Sequence, residues 1–287
     1  MTSFIEERQA AYAGVTTREL AVSGSGPTII LVHGFADSAD AWRQVLDLLA
    51  DAGQAAIAVD LPGFGKADPL DVGELVPQLD AFLAAVIRHH GGREGVVVVG
   101  NSLGGAVAAR AARNKELPVV GVMPLDIAGI TWQPIAKGTS PLAAVTKLVS
   151  NARVPKRLHR AAIERILARL LYGERSAVDP RIVAAFAATF VDLHTTISFI
   201  GRGAQFKTEL DRNDDHGGID VPMIVVHGAK DRLVPVSASR ILHEANPGSR
   251  LVVLERVGHC PQLDAPHVIV RRARELANFS TESKEIS

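Results

Sequence analysis

The stretch Val96-Val97-Val98-Val99-Gly100-Asn101-Ser102-Leu103-Gly104-Gly105 organises the whole chain. Four consecutive β-branched residues without polar alternation are typical of a parallel strand that is covered on both faces. The string Gly-x-Ser-x-Gly follows at once, and an alanine-rich run from Ala106 to Ala112 then predicts a helix. A serine between a strand and a helix lies on a sharp turn that exposes its hydroxyl. We therefore predict that Ser102 is a nucleophile.

Outward from this stretch, strand and helix patterns alternate along the chain. The predicted strands besides the central one are Val15 to Val22, Thr28 to Val32, Ala55 to Val59, Val119 to Leu125, Met223 to Val226 and Arg250 to Leu254. Helical spacing of apolar residues separates most of these strands, which is the signature of βαβ units. The predicted fold class is therefore α/β, with a doubly wound and mostly parallel sheet.

The alternation stops at about Gly129, and Ser140 to Phe199 shows only helical patterns. Ligands bind at the carboxyl ends of the strands in open α/β sheets. We therefore interpret this region as a helical lid, inserted after the strand that ends at Asp126. The predicted organisation is an α/β core at 1–128 and 219–279, a lid at 129–218 and a flexible tail at 280–287.

Composition narrows the class of protein. The 287 residues include 31 Lys and Arg and 31 Asp and Glu, so no net charge recruits nucleic acid or an acidic partner. The single cysteine, Cys260, excludes a disulfide framework and a cysteine metal cluster. Residues 1–10 lack the apolar core of a secretory signal, and no apolar run approaches the length of a membrane span. We expect a soluble, cytoplasmic protein without stable membrane insertion.

A serine nucleophile needs a base to take its proton and an acceptor to orient that base. His259 follows the last predicted strand and is the candidate base. Asp231 follows the strand before it, and Asp126 follows the strand after Ser102, so both are candidate acceptors. All these loops open onto the edge of the sheet where Ser102 stands.

Five strings in this order resemble the capped, single-domain α/β-hydrolases, and the resemblance extends from about Thr16 to Asn278. The strings are His33-Gly34-Phe35, Asp60-Leu61-Pro62-Gly63-Phe64-Gly65, Gly100 to Gly105, Gly228 to Pro235 and Gly258-His259-Cys260-Pro261. The resemblance implies a Ser, Asp, His order of catalytic residues. It favours Asp231 over Asp126 because the Asp-Arg-Leu-Val-Pro context matches. It also implies an oxyanion hole formed by the backbone N–H groups of Leu103 and Phe35.

The leading hypothesis is a cofactor-independent serine esterase or lipase that acts on a small, partly apolar carboxylic ester. We expect no metal, because no carboxylate–histidine cluster has metal-ligand spacing. Hydrolysis of a carbon–carbon bond in ring-cleavage products is an alternative, but Cys260 stands where those enzymes usually carry Trp. A ligand-binding or signalling protein with slow turnover is the other alternative, since fold and catalytic residues do not determine rate.

The lid offers two further candidates. An apolar stripe starts after the cap Asp179 and carries Phe186 and Phe190 one helical turn apart, so these rings and Phe35 are expected to contact substrate. Core packing is the alternative for the two lid rings. The segment from Lys147 to Arg169 contains seven Lys or Arg and one Glu. This basic bias is suited to attracting an anionic substrate or a membrane surface, and a solvated helix face is the more ordinary explanation.

Overall fold

A computed structural model describes residues 5–131, 155–212 and 216–285, with side chains as far as Phe279. Within these ranges the strands are β1 (Glu6–Tyr12), β2 (Val15–Val22), β3 (Ser25–Val32), β4 (Gln54–Val59), β5 (Val96–Asn101), β6 (Val119–Leu125), β7 (Ile224–Gly228) and β8 (Arg250–Leu254). The helices are α1 (Arg43–Asp51), α2 (Val76–His90), α3 (Leu103–Arg113), α4 (Lys156–Leu171), α5 (Pro180–Ala187), α6 (Leu193–Leu210), α7 (Val236–Glu244), α8 (Pro261–Asp264) and α9 (Pro266–Glu285). Short 3₁₀ turns lie at Ala39–Trp42 and Arg175–Ala177.

The strands form one sheet in the order β1-β2-β4-β3-β5-β6-β7-β8. Strands β4, β3, β5, β6, β7 and β8 pair in parallel, whereas β1 and β2 are antiparallel. One face of the sheet is covered by α2 and α3, which bury Phe82 and Val107, and the other by α1 and α9, which bury Leu46 and Ile269. The predicted doubly wound, mostly parallel α/β fold is confirmed.

This topology brings the carboxyl ends of the six parallel strands to one edge of the sheet. The loops after β3, β5, β6, β7 and β8 carry Phe35, Ser102, Asp126, Asp231 and His259 respectively. Residues from distant parts of the chain therefore meet at one edge, as the strand pattern predicts.

Strand β1 has no counterpart in the sequence prediction. Its burial pattern is almost wholly exposed, and Tyr12 is its one buried residue. The strand pairs with β2 along its whole length, from Glu6 opposite Ala21 to Tyr12 opposite Val15. Backbone pairing therefore holds β1 at the edge of the sheet, and a strand held in this way needs no alternation of apolar residues.

The helices between β6 and β7 differ from the prediction at one point. The sequence suggests one helix that carries both Phe186 and Phe190, but α5 ends at Ala187 and α6 begins at Leu193. Asp192 starts the second helix because its carboxylate accepts a hydrogen bond from Thr195 N at 2.8 Å. Phe190 therefore lies in the connection between two helices.

The basic segment from Lys147 to Arg169 and the C-terminal tail at 280–287 were both singled out from the sequence. Of the basic segment, residues 147–154 lie outside the described residues, and Lys156 to Arg169 lie in α4. Residues 280–287 were expected to form a flexible tail, but the α9 backbone stays helical to Glu285 because Glu and Lys favour helix even when solvated.

Every helix in the described ranges is too short or too polar to cross a bilayer.

Candidate active site

Ser102 occupies the turn between β5 and α3 with a φ of +54°. Such a backbone angle is costly for a residue with a side chain and persists only where the surroundings enforce it. Close contacts do so here: a Cβ on Gly104 would lie 2.3 Å from Val32 O, and one on Gly100 would lie 2.2 Å from Gly104 O. Only glycine at both positions lets strand and helix approach this closely. The Ser102 side chain is thereby placed at the strand-end edge, at the N-terminus of α3.

His259 and Asp231 are joined across the neighbouring loops. The Nδ1 of His259 lies 2.7 Å from Oδ2 of Asp231, and both side chains are buried. The other carboxylate oxygen of Asp231 accepts hydrogen bonds from Leu233 N at 2.7 Å and Val234 N at 3.0 Å. A carboxylate acceptor at Nδ1 leaves Nε2 of His259 as the nitrogen available for proton transfer.

The charge on Asp231 is stabilised by its surroundings. Burial by itself raises the pKa of this carboxyl, but the charge and hydrogen bond of His259 outweigh burial and hold the pKa below its ordinary value. The backbone N–H groups of the Asp231 loop act in the same direction. Asp231 is therefore an ionised acceptor for the imidazole.

Asp126 is also buried beside this pair, but it has different partners. Its Oδ1 accepts a hydrogen bond from Gly228 N at 3.0 Å and lies 3.4 Å from Nε2 of His227. Burial and the negative charge of Asp231 raise the pKa of Asp126 well above its ordinary value. Of the two candidate acids, the structure brings Asp231 to His259, whereas Asp126 bonds to the backbone of Gly228.

Asn101 connects the nucleophile turn to the histidine loop, a role that the sequence leaves undecided. Its Nδ2 donates to the backbone carbonyl of His259 at 2.9 Å, and its Oδ1 accepts from Gln262 Nε2 at 3.2 Å. Among the described contacts, the Ser102 hydroxyl has no hydrogen bond to His259, a common finding without bound substrate. The residue next to Ser102 therefore holds the backbone of His259, although the side chains of Ser102 and His259 are not hydrogen-bonded to each other.

The two backbone N–H groups assigned to an oxyanion hole face no described hydrogen-bond acceptor. Leu103 opens α3, where the first N–H groups of a helix lack an intrahelical partner. Phe35 follows Gly34, whose carbonyl accepts a 2.7 Å hydrogen bond from Nδ1 of His33. Nε2 of His33 accepts one from Leu61 N at 2.9 Å, so the ring is held as a neutral tautomer. His33 thus orients the loop that carries Phe35 and performs no proton transfer of its own.

A cleft of about 830 Å³ lies between the loops after β3 and β4 and the helices α5 and α6. Phe186 lines it together with Phe64 and Phe199, and Ala36 extends it to the residue after Phe35. Phe190 is not part of the lining and packs on Phe199, with ring centroids 5.4 Å apart. Phe199 lies in the region predicted to be a lid, but the sequence carried no signal that singled it out for the cleft.

One group of potential metal ligands occurs in the described part of the chain. Asp126, Asp231 and His259 each have a ligand atom within 4.8 Å of the others. A metal ion at this point would displace the hydrogen bond between Asp231 and His259, because both of its atoms would become ligands. The absence of a metal from the reaction stays a prediction.

The mostly parallel α/β sheet carries a serine turn and a histidine–carboxylate pair at the same sheet edge. This arrangement is typical of α/β-hydrolases. The chain belongs to the alpha/beta hydrolase family, whose family model matches residues 29–272. The resemblance noted from the sequence motifs is confirmed.

Individual relatives narrow the class further. The chain is 29% identical over 255 residues to the pimeloyl-[acyl-carrier protein] methyl ester esterase of Aeromonas hydrophila, covering 86% of this chain and 94% of that one. Among solved structures it is similar to a membrane phospholipase A described as a bacterial virulence factor, with a TM-score of 0.76, 20% identity and coverage of 97% and 87%. A serine hydrolase involved in carbazole degradation has a TM-score of 0.73, 21% identity and coverage of 96% and 99%. The structural likenesses show the fold. Together with the family, the named relatives confirm the predicted enzyme class, a carboxylic ester hydrolase.

Proposed function

We propose that this chain hydrolyses carboxylic esters through an acyl-enzyme on Ser102. The observation that carries the proposal is the 2.7 Å hydrogen bond between His259 and Asp231, set at the same sheet edge as the strained serine turn. A carboxylate at Nδ1 keeps the imidazole in the tautomer whose Nε2 can accept the serine proton. A second serine, Ser239, lies 2.7 Å from Nδ1 of His227, whose Nε2 lies 3.4 Å from Asp126, but Ser239 and His227 are both fully buried and out of reach of a substrate.

The reaction proceeds in two halves. Ser102 Oγ attacks the ester carbonyl carbon while His259 Nε2 takes its proton, and Asp231 stabilises the imidazolium that forms. The alcohol leaves with the proton from His259, and the acyl group stays on Ser102. Water then attacks the acyl-enzyme with His259 as base, releasing the acid and restoring the serine.

The developing oxyanion is held by the backbone N–H groups of Phe35 and Leu103. These donors are positioned before the reaction begins, one by the start of α3 and the other by the loop that His33 holds. One such donor typically contributes about 2.7–4 kcal/mol to lowering the barrier.

The region 129–218 acts as a lid over this site in the proposed arrangement. In support, Gly173 N donates to Oδ2 of Asp264 at 2.8 Å, and the same oxygen accepts from Gly258 N beside His259. On the other side of the cleft, α6 contacts Phe35 through Phe199. The helices between β6 and β7 therefore touch the loops that carry both halves of the site.

Covalent labelling tests the nucleophile. A fluorophosphonate should modify Ser102 of the folded protein, because this hydroxyl has an oriented base beside it. Ser102→Ala should abolish both labelling and turnover of p-nitrophenyl butyrate. Ser38→Ala is the matched control, since Ser38 lines the cleft and its hydroxyl bonds to Asp40 rather than to a histidine.

Two results would contradict the proposal. Mass spectrometry could place the adduct on another residue, or the folded protein could stay unlabelled. Sustained multiple turnover separates an esterase from a binding protein, which would release one equivalent of product and stop.

A further inference from the structure

The cleft contains a cation against an aromatic wall. The guanidinium carbon of Arg202 lies 5.9 Å from the ring centroid of Phe199, which in turn lies 6.0 Å from the ring of Phe35. A Cβ placed on Gly63 would lie 3.3 Å from Nη1 of Arg202, so the guanidinium reaches across from α6 to the loop after β4. A guanidinium held over an aromatic face is pre-oriented and keeps its N–H groups free to point sideways.

Helix α6, which carries this cation, packs against the ring of Phe35. A Cβ on Gly203 would lie 3.4 Å from the Phe35 ring, so the helix passes directly over the residue assigned to the oxyanion hole. Phe199 and Arg202 are three residues apart and share one face of the helix. An acyl chain that leaves Ser102 along the Phe35 and Phe199 rings therefore runs toward Arg202.

The other cations that line the cleft are engaged or exposed. Arg18 pairs with Asp40 and Asp60, and Lys66 with Glu7. Arg43 pairs with Asp40 and Glu7 as well. Arg181 is solvent-exposed. In the described part of the chain, Arg202 is partly exposed and forms no ion pair with a carboxylate, so its N–H groups are available to a ligand in the cleft.

The acids that line the cleft do not neutralise Arg202. Asp40 is taken up by Arg18 and Arg43. Asp179 caps α5 by accepting the Arg181 backbone N–H at 2.8 Å. Burial raises the pKa of Asp37 well above its ordinary value, which favours its uncharged form. The inner part of the cleft thus offers apolar rings and one unbalanced positive charge.

We propose that Arg202 selects esters whose apolar acyl chain ends in a carboxylate, such as monoesters of dicarboxylic acids. The inference rests on the proposed function, because Ser102 is taken as the point where the ester lies. A single guanidinium balances a single negative charge and binds a carboxylate through two parallel hydrogen bonds, so a carboxylate suits the site better than a phosphate dianion. The aromatic rings between Phe35 and Arg202 accommodate the methylene chain.

Turnover of two matched substrates tests the selectivity. The pair is p-nitrophenyl hexanoate and the mono-p-nitrophenyl ester of adipic acid, which differ by the terminal carboxylate. The readout is the ratio of kcat/KM for the anionic to the neutral ester. Arg202→Met, which keeps length and apolar surface, should lower this ratio roughly 10- to 100-fold, the loss expected for a charge-assisted hydrogen bond. Arg202→Lys should restore only part of it, because an ammonium cannot bind a carboxylate in the same two-pronged way.

The matched control is Arg181→Met, which removes an exposed cation that lines the same cleft. It should leave the ratio within about twofold of the wild type, because an exposed charge is screened by solvent. An unchanged ratio in Arg202→Met overturns the proposal. An equal drop in both variants also overturns it, because a general positive field would then be responsible.

Binding separates this proposal from the esterase mechanism. Calorimetry with Ser102→Ala protein should show monomethyl adipate binding more tightly than methyl hexanoate, and the added Arg202→Met change should remove the difference. This result would support the Arg202 site even if the wild type hydrolysed neither ester, an outcome that refutes the catalytic proposal alone. Equal affinity for both ligands in Ser102→Ala protein would refute the Arg202 site.

Discussion

Two buried aspartates lie beside one histidine, and their electrostatic states differ. Asp231 is bonded to His259 and to two backbone N–H groups, which lower its pKa despite burial. Asp126 accepts a single backbone N–H and faces the charge of Asp231, which raises its pKa together with burial. Two carboxyls this close do not both ionise readily, so the negative charge lies on the one with more donors.

The different partners of Asp231 and Asp126 predict losses of kcat of very different size when each is replaced by Asn. Asp231→Asn should lower kcat by about 10⁴-fold, by analogy with the serine-protease case, because an amide favours the wrong imidazole tautomer and cannot stabilise imidazolium. Asp126→Asn should lower kcat less than about tenfold, because Asp126 does not bond to His259 and an amide keeps the acceptor for Gly228 N. Steady-state kinetics on p-nitrophenyl butyrate measure both.

Circular dichroism and melting curves serve as the control for folding in these two variants. The reverse ranking, with Asp126→Asn nearly inactive and Asp231→Asn close to the wild type, would assign the acid to the loop after β6. Equal and modest losses would mean that either carboxyl can serve His259.

At the scale of elements, Phe186 on α5 both packs in a hydrophobic cluster and lines the cleft. Phe186 is 7% exposed and packs in a cluster with Leu171, Val183 and Leu263, while its edge lines the cleft. Phe190 lies beyond the end of α5 and contacts Phe199. The two rings that sequence periodicity placed on one helical stripe therefore have different surroundings.

Phe186→Ala should affect both stability and acyl-chain preference. Loss of a ring from the cluster should lower the free energy of unfolding by about 3 kcal/mol, and the space opened in the cleft should raise kcat/KM for longer acyl chains relative to acetate. Phe190→Ala is the matched comparison and should leave the chain-length preference unchanged. Melting curves and a series of p-nitrophenyl esters from acetate to octanoate give both readouts.

A shifted preference in Phe190→Ala, with none in Phe186→Ala, would contradict the position of these rings. Destabilisation by Phe186→Ala with an unchanged preference would show that the ring serves the cluster alone.

At the scale of the whole molecule, one buried carboxylate ties the edge of the sheet to a helix. Glu19 on β2 has a fully buried side chain that accepts hydrogen bonds from Tyr12 at 2.6 Å and Arg8 Nε at 2.8 Å on β1. Nε2 of His90, at the end of α2, lies 3.0 Å from the same carboxylate. Burial by itself raises the pKa of Glu19, but hydrogen bonds from His90 and Tyr12 outweigh it and lower the pKa from 4.5 to about 2.

The stability of the fold should depend on this group in acid. Because the pKa of Glu19 is lower in the folded state, the carboxylate contributes its full stabilisation above about 4.5, and the contribution is lost as the pH falls toward 2. Glu19→Gln should lower the free energy of unfolding at pH 7 by about 2 kcal/mol, since an amide cannot replace an acceptor of charged donors. The difference from the wild type should narrow as the pH falls through this window in urea-unfolding experiments.

Glu6→Gln on the neighbouring strand β1 is the matched control, because Glu6 is exposed. A difference between wild type and Glu19→Gln that stays constant with pH would contradict the assigned titration. Equal losses for the two variants would show that the buried network contributes no more than a surface charge.

Local patterns in the sequence determined the class of fold and the position of the serine turn. Runs such as Val96 to Val99 are uniformly apolar, so burial on both faces of a parallel sheet is the energetically favourable arrangement for them. The glycines around Ser102 mark a turn that no larger residue could form. The order of strand-end motifs then predicts which loops meet, because parallel strands share one carboxyl edge.

The tertiary structure decided what depends on contacts between distant residues. Which aspartate reaches His259 depends on hydrogen-bond geometry between separate loops, as does the link from Asn101 to the His259 carbonyl. Strand β1 is held by backbone pairing, which leaves no side-chain pattern to read. Arg202 is distinguished from Arg18, Arg43 and Lys66 only once the ion pairs of those three cations are known from the structure. Sequence patterns record which surfaces are buried, whereas pairings between polar groups are set by distances that only the folded chain defines.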